Sequence, residues 1–224
     1  MKYIIGNWKC NKSEKEVREW FERLAQKYSE SYVDIEDLTL AVAPPFVYLP
    51  LAKSLIDKLK LPLKLAAQDV SAFEDGAYTG EISAKQLAQF VSYVIVGHSE
   101  RRRYFVETDE QIAQKVEQLE TANILPILCI QDEHTSIPKA TKIAAYEPVY
   151  AIGTGTTESP QKASQVAKEV GAKANLTAVL YGGSVKPENI ELFLQEEGIA
   201  GALVGGASLS PDSFWDMIIH ASKH

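Results

Sequence analysis

Eight short apolar runs, most of them separated by segments of helical periodicity, constrain this chain more than any other feature. The runs predict strands at 3–7, 38–43, 63–68, 94–97, 125–130, 143–147, 178–181 and 201–204. Helices are predicted to begin near Ser13, Val47, Ser83, Thr108, Pro160, Pro187 and Ser210. Alternating strand and helix units imply a parallel sheet, because each strand must return to the same edge through a crossover. Eight such units point to a closed (β/α)8 barrel, whose functional residues gather at the C-terminal strand ends. A chain of 224 residues is long enough to close that barrel as one domain, 1–224.

The local chemistry agrees with this division. Ser13 followed by Glu16 is a capping box, and Val17, Trp20, Phe21 and Leu24 then recur on one helical face. Phe214, Met217, Ile218 and Ala221 do the same near the end of the chain. These aromatic stripes read as core. One connection breaks the pattern. A full crossover takes about a dozen residues or more, and residues 131–141 fall short of that while carrying Pro138, Thr135, Ser136 and Thr141. The helix after strand 5 is therefore predicted to be missing or reduced to one turn.

Composition excludes several classes of function. A net charge of −7 lacks the basic footprint that nucleic acid requires, although a local cradle of N–H groups and one lysine still suits a small anion. The N-terminal apolar run is too short for a signal peptide or membrane span. Cys10 and Cys129 show no pairing pattern, which points to reduced thiols and a cytoplasmic protein. The four histidines do not cluster with cysteines at ligand spacing, so no metal is expected, and no cofactor motif is present.

Chemistry-bearing residues follow the strands. Glu147 leads into Pro148, a short apolar stretch and the glycines at 153 and 155, the order of a base at a strand end followed by a closing loop. Taken alone, that segment reads equally well as an ordinary strand-to-helix connection with a solvated Glu. Asn7 and Lys9 lie just past the first strand, where a single Lys more often belongs to the surface. His98 stands between Val94-Ile95-Val96 and a polar segment that begins a helix. The pairs Gly182-Gly183 and Gly205-Gly206 each follow an apolar run and lead into a helix. They suit tight turns or backbone that grips a phosphate.

The segments GNWK, QDVSAFEDGAYTGEIS, GHSERR, EPVYAIGTG, YGGSVKPEN and GALVGGASL occur in this order. With them the chain resembles the triosephosphate isomerase family from Tyr3 to about Ile219, nearly its whole length. The resemblance implies a TIM barrel that interconverts dihydroxyacetone phosphate and D-glyceraldehyde 3-phosphate through an enediolate. Base and electrophile roles, and lid closure, are well known for this family. They fall here on Glu147 as the base and on a neutral His98 as the electrophile, with Lys9 offsetting substrate charge. Asn7 would donate to a substrate oxygen, and the backbone of Gly153, Ser184, Gly205 and Gly206 would hold the phosphate. Ile152 and Leu203 would clamp Glu147, Tyr181 would hold the closed loop 149–157, and Glu100 would orient Lys9. A surface ion pair of Glu100 with Arg101 or Arg102 stays open as its alternative.

Three departures stand out. Relatives usually carry a helix after strand 5, a Gly-Glu pair where this chain has Gln131-Asp132, and Trp where it has Tyr150. A non-catalytic triose-phosphate binder is the second reading, opposed by the presence of Lys9, His98 and Glu147. In the family the loop corresponding to 69–81, here with Phe73, Tyr78 and Thr79, inserts into a second subunit. The resemblance thus implies a homodimer in which it meets the partner near Cys10 and Asn11. A mobile surface loop is the alternative, opposed by the exposed-looking aromatics. The missing helix is expected to uncover apolar surface beside strands 5 and 6, which motivates a tetramer as the weaker reading.

Overall fold

The computed structural model describes residues 1–148 and 157–224. Eight parallel strands close a barrel in sequence order: β1 (Lys2–Asn7), β2 (Leu38–Ala43), β3 (Lys64–Ala67), β4 (Tyr93–Val96), β5 (Leu125–Ile130), β6 (Ile143–Tyr146), β7 (Ala178–Tyr181) and β8 (Gly201–Val204). β1 pairs with both β2 and β8, which closes the ring. The helices are α1 (Glu14–Glu30), α2 (Leu49–Leu59), α3 (Ala84–Leu87), α4 (Ser99–Tyr104), α5 (Asp109–Thr121), α6 (Pro160–Ala174), α7 (Pro187–Leu194) and α8 (Pro211–Ala221).

Helix starts follow local capping chemistry. Ser13 and Glu16 satisfy each other's backbone N–H groups, and Ser83 with Gln86 and Thr108 with Gln111 repeat the exchange. Ser159-Pro160 and Ser210-Pro211 place a hydroxyl cap before a proline in the first turn, where a missing N–H costs nothing. α2 starts two residues later than expected. Pro50 fits only a first turn, so the helix begins at Leu49 after a 3-10 turn at Phe46–Tyr48.

The period of two sorts each strand into two layers. Ile5, Ala41, Ala66, Ile95, Ile127, Ala145, Leu180 and Leu203 fill the barrel interior. Their neighbours, including Ile4, Val42, Val96, Leu128, Ala144, Val179 and Val204, face the helices in a larger outer core with Trp8, Trp20, Phe21 and Phe214.

Residues 131–142 between β5 and β6 form bends and turns and no helix. The Asp132 carboxylate accepts from the backbone N–H of His134 and the Thr135 hydroxyl, and the Thr135 hydroxyl accepts from the Gln131 N–H. One sequence expectation is corrected here. The short connection does not uncover β5 and β6. Leu128, Ile130 and Ala144 on their outer faces are fully buried, and Tyr146 is 4% exposed. Ile137 and Ala140 pack onto this outer core from the connection itself, so apolar cover is supplied without a helix.

Candidate active site

The interior rows lead straight to the site. Two residues beyond Ile5, Ala145, Leu180 and Leu203, on the same inward parity, stand Asn7, Glu147, Gly182 and Gly205. All four line one cavity of about 480 Å³ at the C-terminal mouth of the barrel, together with Lys9, His98, Leu203 and Gly206. Ser184 lines it as well. Sequence spacing alone brings these residues to strand ends, and barrel closure brings the strand ends to one mouth.

Glu147 is 1% exposed. One carboxylate oxygen accepts from the Ser99 backbone N–H at 2.9 Å, and the other lies 3.0 Å from His98 Nε2. Gly97, at φ +67°, turns the chain out of β4 so that His98 caps α4. The His98 Nδ1 accepts from the Glu100 backbone N–H at 3.2 Å, which places the ring proton on Nε2 and defines a neutral imidazole that donates toward the cavity. Beneath Glu147, burial first and then the neighbouring carboxylate push the Cys129 thiol well up, so it stays protonated.

Lys9 adopts φ +51°, an uncommon backbone state for a residue with a Cβ. Its N–H donates to Asn7 Oδ1 at 3.0 Å, and Gln68 Nε2 donates to both the Lys9 and Ala43 carbonyls at 2.9 and 2.8 Å. The Lys9 ammonium meets Glu100 Oε1 at 2.6 Å. The alternative partners of Glu100 are engaged elsewhere: Arg101 pairs with Asp69 and Glu107, and Arg102 with Asp109 and the Gly97 carbonyl.

Across the mouth, Gly183 lies against Tyr181. A Cβ there would fall 2.2 Å from the tyrosine oxygen. Tyr181 is fully buried and stacks on Phe193 at 4.0 Å, and its hydroxyl accepts from the Glu158 backbone N–H at 3.0 Å. That bond ties the segment following loop 149–157 to β7. Ile152 and Gly153, and Tyr150 with them, lie outside the described residues. The cavity thus brings together Asn7, Lys9, His98, Glu147, Ser184, Leu203, Gly205 and Gly206, while Glu100 and Tyr181 support it from behind.

The family model for triosephosphate isomerase matches residues 2–221. The chain belongs to the triosephosphate isomerase family. Relatives of that name include a protein of Mesomycoplasma hyorhinis, 43% identical over 94% of this chain and 95% of its own length. Another, from Deinococcus radiodurans, is 41% identical over 92% and 93%. A third, from Leifsonia xyli subsp. xyli, is 39% identical over 99% and 97%.

Sequence reasoning missed two features of this triosephosphate isomerase family site. Gln68 continues the inward row of Ala66, and that parity is the signal that could have found it. The second is a charged cluster joining α4 and α5 to the base of loop 69–81. Lys115, with its side chain 7% exposed, binds Asp69 at 2.6 Å and also Glu107, and Arg101 bridges the same two carboxylates at 2.8 and 3.0 Å. Burial pushes the Asp69 carboxyl up despite these cations. For Glu107 the burial effect is outweighed by Lys115 and Arg101, and its carboxyl lies below the usual value. Lone charges at these positions carry no sequence pattern that predicts their pairing.

Proposed function

We infer that the chain interconverts dihydroxyacetone phosphate and D-glyceraldehyde 3-phosphate by moving a proton between adjacent carbons through an enediolate. The observation that carries this reading is the pairing of a buried carboxylate with a neutral imidazole donor at one cavity mouth. Glu147 is the base and His98 the electrophile. A single Nε2–H cannot serve Glu147 and a substrate carbonyl at once, so substrate oxygen takes the place of Glu147 Oε1. The carboxylate is thereby released toward the carbon it deprotonates, and His98 donates to the oxyanion that develops. Lys9 offsets the substrate's negative charge and Asn7 donates to its oxygen. The phosphate rests on backbone N–H groups of Ser184, Gly205 and Gly206, and of Gly153. Leu203 and Ile152 exclude water over Glu147 when loop 149–157 closes, which keeps the intermediate from losing phosphate.

The reading requires fast turnover of glyceraldehyde 3-phosphate in a coupled assay. Glu147→Gln should reduce kcat by about three orders of magnitude, the scale of a lost general base. Phosphate-ligand binding without turnover in the parent protein would favour the non-catalytic alternative.

The protein works as a homodimer through loop 69–81. Phe73 and Tyr78 stack at 4.3 Å, each 45% exposed, and Tyr104, Phe105 and Val106 are 65–76% exposed. Arg101 links the two groups, lying 4.9 Å over the Phe105 ring and pairing with Asp69 at the loop base. Exposed aromatics of this kind suit a subunit contact. A tetramer has lost its motive, since β5 and β6 are covered. Light scattering should give dimer mass, and a larger mass would reopen it. Among the described residues no helix is long and apolar enough to cross a membrane. We place the enzyme in the cytoplasm with a soluble triose phosphate as substrate and no metal or cofactor.

A further inference from the structure

We infer that Lys12 is a positioning residue for the phosphate turn, acting from the loop that also carries Lys9. The inference rests on the phosphate reading of Gly205 and Gly206 given above. Lys12 holds φ +77°, which a lysine adopts only at a cost. Its ammonium donates to the Leu209 carbonyl at 2.8 Å and lies 5.0 Å from the centre of the Trp8 ring. Leu209 ends the 3-10 turn Gly206–Leu209, whose first residues border the cavity.

The same turn is fixed at two further points. Trp20 Nε1 donates to the Ser208 carbonyl at 3.1 Å, and the Ser208 hydroxyl donates to the Gly205 carbonyl at 2.7 Å. Trp20 meets Trp8 edge-on at 4.9 Å, so Lys12, Trp8 and Trp20 form one wall behind the turn. Carbonyls on the far side of the turn are thus taken by donors from the connection after β1 and from α1, and a cation there offsets their partial negative charge. The turn can then present its remaining backbone face to the cavity without rearranging. Lys12 itself does not line the cavity. Its effect on the ligand passes through the backbone of 205–209.

This role predicts a loss confined to the phosphate. Lys12→Met keeps the aliphatic stem over Trp8 and removes the bond. It should raise KM for glyceraldehyde 3-phosphate and the inhibition constant for inorganic phosphate by about fivefold, part of one charge-assisted hydrogen bond, with kcat changed much less. The ratio of kcat/KM for glyceraldehyde 3-phosphate to that for phosphate-free glyceraldehyde should fall by the same factor. Lys12→Gly relieves the strained φ yet should show the same weakening, and Lys12→Arg should restore most of it. Unchanged phosphate affinity in Lys12→Met and Lys12→Gly overturns the inference. So does an equal fall with both substrates. Calorimetric titration with inorganic phosphate tests the inference even if the parent protein fails to turn over triose phosphate, so failure of the reaction assignment is distinguishable from failure of the role of Lys12.

Discussion

The two sides of the barrel are built to different standards. On one side, β7, β8 and β1 are backed by α7, α8 and α1, and the loops above them are fastened by Trp20, Lys12 and Tyr181. On the other, β5 and β6 are joined by a turn-rich connection with no helix. Both sides nevertheless deliver site residues: Gly205 and Gly206 from the first, Glu147 from the second. The difference separates two requirements that a complete barrel obscures. The phosphate grip proposed for the backbone of Gly205 and Gly206 calls for loops held from behind. Presenting one carboxylate requires only that its strand keep inward parity, and β6 is held by β5 and β7 through its ladder. Glu147 adds its own bond from N–H to the Ile130 carbonyl at 2.7 Å. The outer wall of that sector must exclude water, which Ile137 and Ala140 do without helical order.

Four substitutions or probes can break this comparison. The largest effect is expected on the fastened side. Gly183→Ala forces a methyl into the Tyr181 hydroxyl and should cost about 3 kcal/mol, seen as a lower urea midpoint with loss of activity. A neutral outcome would mean that the phosphate side is as tolerant as the other. Next, Ile137→Ala on the thin side should lower stability by about 1–2 kcal/mol, less than for a fully enclosed isoleucine, with kcat of the folded enzyme kept within about twofold. A large fall in kcat would show that the connection shapes the site as well as covering it. Tyr181→Phe removes the hydroxyl that accepts from the Glu158 N–H and should cost about 1 kcal/mol, with a severalfold lower kcat because the tie between the loop end and β7 is lost. Equal kcat would remove Tyr181 from loop control. The smallest effect is a null: Cys129 on β5 should resist thiol reagents at neutral pH in the native enzyme, because it is buried and its thiol is held protonated, while exposed Cys10 reacts. Rapid labelling of both would show that the barrel interior beneath Glu147 opens on this side.

Much of this was legible beforehand, for identifiable reasons. Strand runs such as Leu38–Ala43 and Leu125–Ile130 stand out because both faces are buried, and the Ser-Pro and Ser/Thr-x-x-Glu/Gln caps mark helix starts. Pro138 and the short connection foretold the absent helix. The strand-end rule located Asn7, His98, Glu147 and Gly205. What escaped were properties that exist only after folding. The apolar cover from Ile137 could not be weighed without knowing how near it lies to β5 and β6. The charged cluster of Asp69, Glu107, Lys115 and Arg101 joins residues from β3 to α5 with no shared spacing. Left-handed Lys9 and Lys12 carry no glycine to announce them, and the contacts that accompany this backbone state, from Asn7 and Gln68 to Lys9 and from Lys12 to Leu209, appear only in the folded chain.

The central claim is that Glu147, held on the helix-free side, is the base that moves the proton. Solvent deuterium exchange tests it most directly. Dihydroxyacetone phosphate incubated with the protein in deuterated water should gain deuterium at the carbon beside the carbonyl, both in recovered substrate and in glyceraldehyde 3-phosphate, and Glu147→Gln should abolish the gain. Deuterium entering at the parent rate in Glu147→Gln would contradict the account.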